Sequence, residues 1–123
     1  METVILYLGR ILFGGFFIMG GINHFRHMEM MSGYAQSKGA PMPKLSVGVS
    51  GLLLLIGGVS TLFHVYPTVG LIALAVFLVP VTLIMHAFWK ASDAQTKMGE
   101  QVNFTKNLAL LGAVLILLQG SLI

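Results

Sequence analysis

The sequence predicts an all-α integral membrane protein, an antiparallel four-helix bundle with a short interfacial helix between its first and second spans. Composition and patterning carry this reading. Of 123 residues, 56% are hydrophobic and only 9% charged, where a soluble domain has roughly 25% charged residues. The apolar residues fall into four stretches, about 3–23, 45–63, 67–89 and 103–123. Each approaches the ~20 residues that a helix needs to cross ~30 Å of hydrocarbon. Backbone groups must find partners internally in lipid, so four such helices with short connections pack as one up-down domain over residues 1–123.

Composition also excludes several kinds of chemistry. The chain has no cysteine, which removes disulfides, thiol redox chemistry, Cys-ligated zinc and iron–sulfur clusters. Any electron carried here sits on a borrowed cofactor, and no intrinsic one is expected. The net charge of +3 does not point to nucleic acid, because Arg26, Lys38, Lys44, Lys90, Lys97 and Lys106 flank the spans instead of forming a basic face. All six lie in or beside the first and third connections. The positive-inside rule then places both long loops in the cytoplasm and both termini outside, in what is expected to be a bacterial inner membrane. The acidic start, Met1-Glu2-Thr3, and the length of the apolar segment after it predict that the first span is retained.

Span one carries glycines at 9, 14, 15, 20 and 21, which weaken a helix in water but let helices approach closely in lipid. Arg10 is its anomaly. Counted from His24 at 1.5 Å per residue, it lies roughly 21 Å into the membrane, at the depth of Gln119 in span four. Two readings compete: a side chain that snorkels to the outer head groups, or a buried charge with Gln119 beside it.

In the first connection, Met28, Met31 and Ala35 recur at helical spacing, Gly39 is a helix stop, and Pro41 and Pro43 prevent continuation. This predicts a short amphipathic helix at the interface, acting as a lid or collar. On one continuous helix His24, His27, Met28 and Met31 would share an arc, and such ligands suit Cu(I). That arc is also the apolar one, and methionines at helical spacing more often pack than coordinate. No metal site is assigned.

Span two has Ser46 and Ser50 as a small-xxx-small pair, with His64 and Tyr66 as interface anchors in the short outer turn. Span three contains Pro80, which removes a backbone bond to Val76 and predicts a kink below His86. At its end His86, Trp89 and Lys90 are spaced to share one helical face. In the loop that follows, Ser92 and Asp93 are caps for a short helical turn, Gly99 is its stop, and Asn103 is the N-cap of span four. Asn107 would then face His86 across the mouth of the bundle, and Asn23 and His24 would complete a polar ring.

That ring is the candidate ligand site. A lipid-like ligand with a carbonyl head group needs hydrogen-bond donors near the interface and apolar helix surface below for its tail. His86 and Asn107 supply the first, and Trp89 offers a ring to stack on. The competing account is interface anchoring, which uses the same residue types. Bis-histidine haem on His24 and His86 is a further reading. Proton or cation transport has no acidic residue inside the predicted spans to support it.

The glycine-rich first span with Gly9, Arg10, Gly14 and Gly15, the segment YAQSKGAPMP, the MHAFW corner and NFTKNLALLGAVLIL together resemble the DoxX family of small four-helix membrane proteins. The resemblance implies an association with membrane oxidoreduction, since some relatives are subunits of thiosulfate:quinone oxidoreductases and others accompany redox enzymes. The implied role is an accessory or docking subunit with a protein partner, and the ligand implied for the polar ring is a quinone, with its carbonyl on His86 and Asn107 and its ring on Trp89. Eukaryotic relatives act in membrane-protein assembly, which implies the alternative of a non-catalytic scaffold whose glycine faces contact another membrane protein. Self-association into a homo-oligomer is compatible with either role.

Overall fold

The computed structural model describes residues 1–122, all of them in helices or short connections. In chain order these are α1 (Glu2–Arg26), α2 (Met28–Ser37), α3 (Pro43–Phe63), α4 (Pro67–Met85) and α5 (Ala94–Leu122), with a 3-10 turn at Phe88–Lys90. α1, α3, α5, and α4 extended by the 3-10 turn to Lys90, are long and apolar enough to span a membrane. Their outer faces expose Val4, Ile5, Leu12, Leu52, Ile72 and Ile116. In a bilayer such side chains meet lipid, which is why they need no cover.

α1 packs along α3, α3 along α4, and α4 along α5. The core is one apolar cluster to which every spanning helix contributes: Phe17, Leu54, Leu71, Leu74, Leu78 and Val114. Apolar burial drives little association in lipid, so packing contact carries the bundle. The α1–α3 contact shows how. A Cβ on Gly14 would lie 2.8 Å from the Gly58 carbonyl oxygen, and one on Gly58 would lie 2.8 Å from that of Gly14. One helical repeat further on, a Cβ on Gly21 would lie 2.9 Å from the carbonyl oxygen of Gly51. Both backbones therefore touch where no side chain intervenes. The Ser46 hydroxyl, at the start of α3, donates to the Pro41 carbonyl.

α2 ends as the sequence predicts. Gly39 takes φ of 82°, the Ala40 N–H donates to the Ala35 carbonyl at 3.0 Å, and the Gly39 N–H donates to Gln36 at 3.1 Å. This is a Schellman stop, in which a left-handed residue satisfies the last carbonyls. The arc across His24 to Met31 is not continuous, however. His27 leaves helical geometry at φ −118°, ψ 37° and ends α1, so the two histidines and two methionines do not share an unbroken helix face.

At the opposite end, α3 and α4 are joined by His64, Val65 and Tyr66, with His64 and Tyr66 both left-handed at φ 56° and 47°. The buried Ser60 hydroxyl reaches the carbonyls of Val65 and Tyr66, the latter at 2.8 Å, and so holds this turn from inside. Thr68 donates to Ser121 at 2.9 Å, joining α4 to the end of α5.

The third connection differs from expectation. α5 starts at Ala94 and runs through Gly99, so Gly99 stops nothing and Asn103 caps nothing. Asp93 is the cap: its Oδ2 accepts the Thr96 N–H at 3.0 Å, and that bond holds its carboxyl below the usual carboxylate range. The cap satisfies an orphan donor at the helix start, and contacts made about two turns later by Glu100 outweigh the weak helix propensity of Gly99. Pro80 lies inside α4 on its exposed side. The helix ends five residues later at Met85, so His86, Trp89 and Lys90 do not share a helical face.

Candidate functional site at the loop-side mouth

α5 turns three buried residues inward, Glu100, Asn107 and Val114. A seven-residue spacing returns to nearly the same face of a helix, drifting only about 20° per repeat, and the partly buried Ser121 continues the stripe. The stripe is graded along the bundle: a carboxylate at the mouth, an amide below it, valine in the core and a hydroxyl near the α3–α4 turn.

Glu100 is 6% exposed. An isolated buried carboxylate is costly and is normally paired. Here α2 supplies the pairing, since Lys38 Nζ lies 2.9 Å from Glu100 Oε2 and the Tyr34 hydroxyl donates to Oε1 at 3.3 Å. The bond to Glu100 holds the Lys38 ammonium above its ordinary pKa. The interfacial helix is thereby latched over the end of the bundle.

His86 stands behind this latch, where α4 ends. Its Nδ1 is buried and lacks a hydrogen-bond partner. The nearest acidic atom, Glu100 Oε1, is 3.6 Å away, beyond a hydrogen bond. Ala87, at φ −77° and ψ 78°, turns the chain into the 3-10 segment. Phe88, Trp89 and Phe104 then stack edge to face, with centroids 5.3 to 5.7 Å apart, pinning the segment against α5.

The predicted ring is only partly assembled. His86 and Asn107 point inward. Trp89 is 52% exposed and engaged with its aromatic neighbours. Asn23 is exposed. His24 is half-buried, its Nδ1 2.7 Å from the Gly20 carbonyl and its ring edge-on to Phe77. The pairing of Arg10 with Gln119 as a buried charge is not realised: Gln119 is exposed, and Arg10 is partly exposed with its guanidinium 5.8 Å from the Tyr7 ring centre. The guanidinium instead lies along α1 toward Tyr7, one turn nearer the start of the chain.

Sequence reasoning missed Glu100, Tyr34 and Lys38. In sequence Lys38 reads as a loop charge, and Glu100, ahead of the apolar stretch at 103–123, reads as loop, although it lies on the last spanning helix. The detectable signal was the spacing of Glu100, Asn107 and Val114. Among the described residues no three His, Cys, Asp or Glu side chains gather closely enough to hold a metal ion.

Below the mouth, α1 and α5 form no extensive packing face. Between them lies an open apolar groove of about 360 Å³, lined by Gly9, Leu12, Phe13, Phe16, Phe17 and Leu110. The Lys106 ammonium stands 5.7 Å from the Phe16 ring centre, at the loop-side end of this groove.

Four apolar spans around one core define an integral membrane helical bundle, with a polar mouth closed by an interfacial helix. The family model DoxX matches residues 5–87, and the chain belongs to that family. The match covers α1 to α4 and ends at Ala87, before Glu100 and Asn107. No match was found among curated proteins or among solved structures.

Proposed function

We propose that this protein is an accessory membrane subunit of an oxidoreductase system that holds a quinone or similar lipid-like ligand at its loop-side mouth. The observation that carries the reading is the buried, unpartnered Nδ1 of His86. A buried polar atom without a partner costs stability and is uncommon in native structures, and a ligand carbonyl would relieve that cost. The buried amide of Asn107 offers a second hydrogen-bonding group on the same end of α5.

The α1–α5 groove supports a ligand with a long apolar tail. It opens sideways to the lipid, and Leu110, which lines it, follows Asn107 by one helical turn. An isoprenoid chain lying there would carry its head group toward the mouth without passing α2. The apolar cluster that fills the bundle between the mouth and the outer turn favours a ligand held at one end over passage through the bundle. The basic residues flanking the mouth support a cytoplasmic position for it.

The scaffold alternative, a partner helix on the glycine faces, would have to use Gly9, Gly15, Gly112 or Gly120, which meet open space. Gly14, Gly21, Gly51 and Gly58 are occupied by the α1–α3 contact, so they are not free to receive a partner helix. The test is thermal unfolding of the purified protein with a short-chain quinone analogue. Saturable stabilisation that is lost in His86→Ala supports the proposal, and no stabilisation by the analogue overturns it.

A further inference from the structure

We propose that Lys106 and the α1–α5 groove form a binding site for one anionic phospholipid, with its phosphate on the Lys106 ammonium and an acyl chain in the groove. This goes beyond the quinone reading and does not rest on it. Where both hold, the two tails compete for the same groove.

The groove exists because the bundle is left open along one seam. α1 packs on α3, α3 on α4 and α4 on α5, but α1 and α5 make no comparable contact. Aromatic side chains of α1 stand there instead, with Phe13, Phe16 and Phe17 facing Leu110 across the seam. Gly9 carries the groove on, away from the mouth. In a bilayer such a groove takes up an acyl chain. Apolar surface does not by itself choose among lipids, since all their tails are equally apolar.

The choice comes from charge. Lys106 is exposed on a spanning helix and forms no ion pair among the described residues. Glu100, on the same helix, faces Lys38 and His86, and Asp93 is engaged as the cap of α5. A cation within a span usually faces protein, water or an interface and pairs there. This one is laid across the seam, its Nζ 5.7 Å from the Phe16 ring centre, within the range of cation–π attraction. Phe16 is therefore shared, lining the groove and lying under the ammonium. A positive charge and a tail groove side by side match a phospholipid better than a soluble anion.

Depth agrees with this assignment. Phe104, two residues before Lys106 and so about 3 Å along the helix, stacks on the half-exposed Trp89. Tryptophan rings mark the level of the head groups. From Phe16 to Gly9 the groove runs roughly 10 Å along α1, away from that level. A neutral quinone ring leaves Lys106 unmatched, whereas a phosphodiester with no balancing cation of its own matches it.

The experiment is native mass spectrometry of the full chain, delipidated in a non-ionic detergent with no quinone added. The protein is titrated with phosphatidylglycerol or with phosphatidylcholine of the same acyl chains. The wild type should bind one phosphatidylglycerol about fivefold more tightly than phosphatidylcholine, the advantage that a single lysine gives near a membrane surface. Lys106→Gln should abolish that preference and Lys106→Arg should keep it. Lys97→Gln, which lowers the net charge equally, should leave it unchanged. Gly9→Leu grows into the groove from open space and should weaken both lipids alike; it serves if Lys106→Gln does not fold. Equal binding of the two lipids by the wild type overturns the proposal, as does a preference that survives Lys106→Gln or falls as far in Lys97→Gln. Unaltered binding in Gly9→Leu also overturns it, and so does displacement of the lipid by inorganic phosphate at equal concentration, which would mark a site for free anions.

Discussion

Lys38 and Glu100 are 62 positions apart in sequence, yet Nζ of one lies 2.9 Å from Oε2 of the other. The bond ties the interfacial helix to the last spanning helix and encloses the end of the bundle. It also leaves His86 beside a carboxylate that is already engaged.

The ion pair should respond asymmetrically to substitution. Lys38→Met leaves a buried carboxylate without its cation, whereas Glu100→Gln leaves a lysine that can turn to water. The expected loss for Lys38→Met is about 2 kcal/mol, below the usual range for breaking a buried pair because Lys38 is partly solvated. Glu100→Gln should cost less. Unfolding in mixed micelles, followed by circular dichroism, measures both.

The same pair sets an alkaline dependence. The folded-state pKa of Lys38 is raised by its bond to Glu100, so its contribution is fully present below the unfolded lysine value of about 10.4. That contribution is lost as pH rises through the folded value. The stability gap between the wild type and Lys38→Met should therefore be constant near neutrality and narrow above about pH 10.4. A gap that widens there would contradict the assignment.

The glycines should divide into two groups. Gly14→Ala and Gly58→Ala each place a methyl group 2.8 Å from a backbone carbonyl oxygen, and separation of α1 from α3 should cost about 1–3 kcal/mol. Gly9→Ala and Gly112→Ala meet open space and should be neutral or slightly stabilising. The same micelle unfolding assay distinguishes the groups.

The α3–α4 turn offers a test of backbone strain. His64 is left-handed without being glycine, so His64→Gly should stabilise the turn by up to about 1 kcal/mol. Ser60→Ala should destabilise it by about 1 kcal/mol, because the hydroxyl that reaches the Val65 and Tyr66 carbonyls is lost. Opposite signs from these two changes are the expected result.

The spans and the interfacial helix were legible in the sequence because each is written locally. Apolar length marks the former, and Met28, Met31, Ala35 and Gly39 mark the latter. The start of α5 was not legible, because Gly99 is a stop signal by local propensity and is overridden by the burial of Glu100 beside it. The mouth was half legible. His86 and Asn107 were identified from residue type and depth, but the latch depends on α2 folding back across the bundle, and no local pattern records that approach. Arg10 and Gln119 show the converse limit, since equal depth on two helices does not make two side chains face each other.

Photoaffinity labelling with an azido-quinone in nanodiscs, followed by peptide mapping, tests the ligand site most directly. The account predicts saturable labelling of α5 around Asn107–Leu110 and of α1 around Phe13–Phe17, suppressed by excess unlabelled quinone and reduced in His86→Ala. Labelling spread over the outer faces of all four spans with no preference for this groove, or equal in wild type and His86→Ala, would contradict it.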